Sequence, residues 1–216
     1  MNASTLNQQT GIGIAVPILP IYELDTMCAS NQINLSSYYT EALDDNIHHK
    51  SGNTLSQLPK GLQTIDGVDY DLRGIVQLAG FRSEEITSLE YPIKVVGIPV
   101  NMRGRFLHFL HASAWYIDAS KSMIGTYRIH FEDGRVEVIP LMYKVNIWDW
   151  WSKADENASL PAWKGTNECT SSIGEHIRLF HLHWKNPHPG KMIVSIDIIS
   201  TCLGPGPMIA EITLTE

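Results

Sequence analysis

The spacing of apolar residues along this chain changes character at Pro59. Beyond it, short apolar runs are broken by turn residues every eight to twelve positions, the spacing of an all-β sandwich or barrel. Eight segments carry the pattern: 73–79, 93–96, 105–111, 125–132, 135–141, 176–184, 192–201 and 208–215. Eight is the strand number of a single jelly roll, so the pattern predicts an all-β, jelly-roll β-sandwich with short helical turns. The sharpest local signal runs from Thr126 to Val138, where two alternating stretches meet at Asp133-Gly134, a pair favoured in two-residue type I′ turns. That register places Tyr127, Ile129 and Phe131 on the core face and His130 on the other. Residues 147–153 read as a last helical turn, capped by Asn146 and crowded with three tryptophans. Strands and helices do not alternate, which argues against a doubly wound parallel sheet.

Residues 1–33 lack a sustained period and are interrupted by Gly and Pro, so they are expected to be an irregular arm packed on the domain formed by 34–216. Residues 34–43 predict a short helix or turn. The stretch that follows, rich in His, Asn, Ser and Gly up to Ser56, predicts a mobile rim.

With 216 residues, 44% of them hydrophobic, the chain is long enough to bury a core without disulfide or metal support. Its 23 acidic and 16 basic side chains give a formal net charge of -7, with no run of Lys and Arg against that balance. Neither a nucleic-acid nor a membrane partner is expected. No apolar run is long enough to cross a bilayer as a helix, and no Lys or Arg precedes the short apolar stretch 12–16 as a secretory signal requires. A soluble, cytoplasmic protein is the expectation. Cys28, Cys169 and Cys202 are odd in number and lack Cys-x-x-Cys spacing, which allows one disulfide at most and matches no common zinc pattern.

Candidate chemistry lies in the aromatic and imidazole side chains. Trp148-Asp149-Trp150-Trp151 is followed by Trp163, with Trp115 and Trp184 in predicted strands. Saccharides stack their C–H faces on aromatic rings while carboxylates and amides read the hydroxyls, so Trp beside Asp in a loop suits a sugar site. Large aromatics are also mostly buried, and packing at the ends of the sandwich is the other reading. Among nine histidines, His181 and His183 stand at i and i+2, the spacing that presents two imidazoles to one metal; His108 and His111, at i and i+3, point to opposite faces. If Phe180, Leu182 and Trp184 form the core face, His181 and His183 point to solvent without an enclosing shell, so no bound transition metal is expected. Asp118 and Asp133, both in loops, are candidates for a structural calcium; no other cofactor is expected. Neither a Gly-x-Ser-x-Gly turn nor a nucleophilic Cys signature is present, and Gly11-Ile12-Gly13 lacks the third glycine of a dinucleotide fingerprint.

An ordered series of short motifs spans roughly residues 34–215: Leu58-Pro59-Lys60-Gly61, Gly67 through Leu78, Gly97-Ile98-Pro99-Val100, Leu107 through Ala112, Glu132-Asp133-Gly134, Asp149-Trp150-Trp151, Trp163 through Asn167, Asn186-Pro187-His188-Pro189 and Ile209 through Thr213. In these the chain resembles an uncharacterised bacterial jelly-roll domain, similar in look to galactose-binding-like domains and carbohydrate-binding modules. The resemblance implies a β-sandwich acting as a recognition module and carries no catalytic residue. Most of its motifs read as scaffold, with Gly74 and Gly134 at turns, Pro99 and Pro187 at strand ends, and Trp150 and Trp151 as packing.

The sequence therefore predicts a non-catalytic module that binds a carbohydrate or similar polyhydroxylated small molecule. Trp148, Asp149, Trp151 and Trp163 form the predicted site, with His111 and Trp115 as further lining. The alternative is a small stand-alone jelly-roll enzyme: a lyase, isomerase or cyclase using a pocket His and carboxylate, or a cupin-like metal enzyme at His181 and His183.

Overall fold

The computed structural model describes residues 31–81, 87, 89–115, 121–153 and 160–216. Its strands, in chain order, are β1 (Glu41–Ala42), β2 (Gly61–Ile65), β3 (Val68–Leu72), β4 (Gly74–Gln77), β5 (Lys94–Met102), β6 (Phe106–Ala114) and β7 (Met123–Phe131). They continue with β8 (Val136–Met142), β9 (Trp151–Lys153), β10 (Trp163–Gly165), β11 (Glu175–Lys185), β12 (Ile193–Ser200) and β13 (Gly206–Thr215). One helical turn, α1 (Glu168–Ser171), precedes β11. All eight predicted strands are present as β4 to β8 and β11 to β13. The large sheet runs β1-β4-β13-β6-β11-β10, with β9 also on β11, and the smaller one runs β5-β12-β7-β8. Among the eight, the first, eighth, third and sixth thus lie side by side, opposite the second, seventh, fourth and fifth, which is the jelly-roll order. Among the described residues no helix is long and apolar enough to cross a membrane.

Between the sheets lies a core built by alternation. Leu107 and Phe109 of β6 meet Tyr127, Ile129 and Phe131 of β7 and Ile193, Ile196 and Ile198 of β12, all buried. In β13 a bulge between Ile209 and Glu211 lets Ile209 and Ile212, three positions apart, both enter this core.

A second core covers the other face of the large sheet. Leu43, Ile47, Leu55 and Leu58 from the loop, with Ile65, Val68, Tyr70 and Leu72 from the β2–β3 hairpin, pack on Ile75, Leu110, Ala112, Leu179 and Met208. Covered on both faces, β6 and β13 are buried along almost their whole length rather than at alternate positions. The stretch up to Ser56, expected as a mobile rim, is instead anchored: Leu43, Ile47 and Leu55 are buried, and Asn53, fully buried, donates through Nδ2 to the Ile47 carbonyl at 3.1 Å.

Three local expectations need correction. The Asp133-Gly134 hairpin has a three-residue connection, with Gly134 N–H bonded to the Phe131 carbonyl at 3.0 Å and Phe131 N–H to the Arg135 carbonyl at 2.9 Å. Gly134 alone of its connection takes positive φ, 82°, as in a type I turn closed by a glycine bulge. Residues 147–153 are extended, not helical: the 148–150 segment is a rung between β6 and β11, and 151–153 is β9. Pro99 lies inside β5 rather than at its end, which an edge strand tolerates. Of the predicted arm, residues 1–30 and with them Cys28 lie outside the described residues, while Gln32 forms a bridge to Thr213 of β13. Cys169 and Cys202 are free thiols.

Candidate functional site

The tryptophan segment is positioned by backbone pairing. Ser113 N–H bonds to the Trp148 carbonyl at 2.8 Å, Trp150 N–H to the Ser113 carbonyl at 2.9 Å, and Arg178 N–H to the Trp150 carbonyl at 2.8 Å. This wedges 148–150 between the ends of β6 and β11. Trp150 fills the outer core at 1% exposure. Asp149 is buried, its Oδ1 accepting Trp151 N–H at 2.6 Å and its carbonyl accepting Arg178 Nε at 3.3 Å, so it is a turn-forming residue. Trp148 tilts onto Phe180 with centroids 5.0 Å apart, and Trp151 lies beneath the Lys50 ammonium at 4.1 Å.

Trp115, Trp148, Trp151 and Trp163 all pack against the outer core, but His111 lies on the other face of the sheet. His111 is fully buried between the Tyr127 hydroxyl at 2.9 Å and the Asn146 carbonyl at 3.0 Å, and burial pushes its pKa down to about 3. It is a neutral core histidine with no surface to offer a ligand. Trp115 is stacked on His48 at 4.8 Å, and the same imidazole meets Trp150 edge to face at 6.0 Å. Trp163, opposite Leu179 on β11, lies flat against Gly165, where a Cβ would be 2.6 Å from its ring.

Beside Trp163 opens a cleft of about 650 Å³ lined by hydroxyl, amide and carboxylate side chains, including Asp44, Asn46, Gln57, Thr166, Asn167 and Glu168. Its walls are the 44–57 loop and the 165–171 segment. They are locked together: Gln57 accepts Thr166 N–H at 2.8 Å, and Asn167 donates to Asn53 Oδ1 at 3.1 Å while capping α1. At the lip Gly52, with φ of 73°, lets the Glu168 carboxylate close over its α-carbon; a Cβ there would be 2.5 Å from Oε2. Trp163 forms the shoulder, since the same position on Gly165 is 3.1 Å from Gln57 Oε1. Gln57 and Thr166 are 109 residues apart, so no local pattern announces this site.

The histidine faces are as expected, but their surroundings are not. His108 and His183 are opposite each other across β6 and β11 with rings stacked at 5.0 Å, and His181 joins them on the outer face. A chain of contacts runs from Asp66 Oδ2 to His181 Nδ1 at 2.9 Å, from His181 Nε2 to His108 Nδ1 at 2.9 Å, and from His108 Nε2 to Thr215 Oγ1 at 2.9 Å. Asp66 belongs to the tip of the β2–β3 hairpin, so the hairpin covers His181 rather than leaving it to solvent. Burial and the two neighbouring imidazoles push His108 down to about 4. The nitrogens of His181 and His108 are taken by neighbours within the chain, and among the described residues no three His, Cys, Asp or Glu side chains converge as metal ligands. Asp133 is engaged by Lys191 and Arg135, and Asp118 lies outside the described residues.

No family model, curated protein or solved structure matches this chain.

Proposed function

We propose that this protein is a binding module for a carbohydrate or similar polyhydroxylated small molecule, held in the cleft between the 44–57 loop and α1. The observation that carries the reading is the lining: hydroxyls, amides and two carboxylates, with Trp163 at the shoulder. Such groups exchange hydrogen bonds with water for hydrogen bonds with ligand hydroxyls, while an aromatic ring takes a sugar's C–H face. Of the residues named from the sequence, Trp163 stands beside this cleft, while Trp148, Asp149, Trp151, His111 and Trp115 make the contacts given above. The net charge of -7 speaks for a neutral or cationic ligand rather than nucleic acid.

The test is calorimetric titration of the intact chain with a panel of neutral mono- and oligosaccharides. Binding by at least one of them is expected, weakened about tenfold by Gln57→Ala, as loss of the Gln57–Thr166 clasp between the two walls predicts. No heat with any saccharide would overturn the reading.

A further inference from the structure

A second constellation, none of whose side chains lines the cleft, is built mainly on the large sheet, with His48 supplied by the 44–57 loop. Glu41 of β1, His48 of the 3-10 turn after it, Gln77 of β4, Tyr91, and Trp115 at the end of β6 meet there. Tyr91 donates its hydroxyl to Glu41 Oε1 at 2.6 Å. His48 Nε2 is 3.0 Å from Gln77 Oε1, so it carries the proton and donates, which leaves Nδ1 as an acceptor. The His48 ring stacks on Trp115 at 4.8 Å and meets Tyr91 and Trp150 edge to face. Two buried polar atoms, Glu41 Oε2 and Gln77 Nε2, have no hydrogen-bond partner among the described residues.

Backbone strain concentrates at the same spot. His48, with φ of 60°, and Trp115, with φ of 67°, both occupy the left-handed region, as does His49 at 53°. The residues whose rings stack are thus both held in a conformation that costs on the order of 1–3 kcal/mol, and strain of this kind gathers at working sites. Burial pushes the Glu41 carboxyl up, against the Tyr91 hydrogen bond and the His48 N–H and with a contribution from Asp45. Burial likewise pushes His48 down to about 4, against its bond to Gln77 and helped by Lys50. Both shifts favour the uncharged forms, in which a carboxyl can give a proton and an imidazole can take one.

We propose that Glu41 and His48, positioned by Tyr91, Gln77 and Trp115, form a proton-transfer site for a small uncharged ketone or aldehyde with an acidic α-hydrogen. The carbonyl oxygen takes the proton of Glu41 Oε2, which is otherwise an unmet donor. His48 Nδ1 takes the α-hydrogen as a proton; the C–H electron pair becomes the C=C bond and the C=O π pair becomes the new O–H bond. The resulting enol collapses when His48 returns a proton to carbon and Glu41 recovers its own from oxygen. No oxidant or metal enters the balance. Trp115, stacked on His48, and Tyr91, edge-on to it, hold the imidazole in place.

The test is exchange of the carbon-bound hydrogens of dihydroxyacetone in D₂O at neutral pD, followed by proton NMR. Exchange in proportion to protein concentration is expected, falling by about tenfold or more in Glu41→Gln and in His48→Asn but unaltered in His130→Ala. Exchange no faster than in buffer, or equal in the natural chain and both variants, would overturn the proposal. An independent reading is the infrared difference spectrum between the natural chain and Glu41→Gln at neutral pH. A protonated-carboxyl band lost in the variant supports the acid role, whereas a carboxylate band in its place overturns it.

Discussion

Oδ2 of Asp66 and Nδ1 of His181, 115 residues apart, stand 2.9 Å from each other and join the tip of the β2–β3 hairpin to the sheet beneath it. The same imidazole then passes its other nitrogen to His108. A metal would have to displace both contacts. Elemental analysis of the purified protein is therefore expected to find no stoichiometric zinc, iron or copper. About one such metal per chain, lost in His181→Ala, would instead mark a metal site at this imidazole chain.

Acid sensitivity is expected from His111. Unfolded, it titrates near the ordinary value of 6.5; folded, near about 3. Below the higher value the unfolded chain binds a proton that the folded chain refuses, so stability falls as pH drops from 6.5 towards 3. The slope from this one group approaches about 1.4 kcal/mol per pH unit. Urea unfolding across that range should show a slope shallower by close to one proton in His111→Gln than in the natural chain.

Glu211 acts in the opposite sense. Burial, with Asp71 nearby, raises its carboxyl well above the ordinary 4.5 despite the Ile212 N–H and Arg73. Its contribution to stability is fully present below 4.5 and is lost as pH rises through the folded value. Glu211→Gln keeps the shape without the ionisation. The variant should therefore gain stability relative to the natural chain as pH rises above 4.5, and equal pH profiles would show that Glu211 stays ionised.

Gly134 has φ of 82° and open space where a Cβ would point. Gly134→Val is thus a test of backbone strain without steric clash, with an expected cost of about 1–2 kcal/mol and a fall in Tm of about 3–6 °C.

Two tryptophans should separate stability from binding. Trp150→Ala removes a side chain at 1% exposure and is expected to cost about 3–5 kcal/mol. Trp163→Ala removes a half-buried ring at the cleft and is expected to cost less stability while lowering saccharide affinity. Thermal melts and calorimetry on the pair check both.

The eight jelly-roll strands were legible because each carries its own apolar run; their ends lie within three residues of those expected, except in β5, which runs on past 96 to Met102. The Asp-Gly rule was sound but applied at one of two sites. The two-residue type I′ geometry occurs at Asp66-Gly67, with φ of 52° and 76° between paired Ile65 and Val68, while Asp133-Gly134 closes with a bulge. The covering hairpin went unread because its alternation is short and its apolar face completes another strand's burial. The Trp148-to-Trp151 run misled for a related reason: a cluster of large rings looks like a ligand platform in one dimension, while three-dimensional pairing through Ser113 and Arg178 turns part of it into core. The cleft joins residues far apart in sequence, as do the contacts of Gln77, Tyr91 and Trp115 with Glu41 and His48, and no spacing rule reaches them.

The sandwich core and the outer core are separated by the large sheet, so the outer one can open without disturbing the other. In hydrogen exchange, amides of the β2–β3 hairpin and the 43–58 segment should then behave as a unit of lower opening free energy than β6 and β13. Because that unit contributes a wall to the cleft and supplies His48, occupancy of either place would slow its exchange and leave the jelly roll's own protection unaltered. Of the Glu41–His48 site only His48 would open with that unit, since Glu41 and Gln77 lie on β1 and β4 of the large sheet.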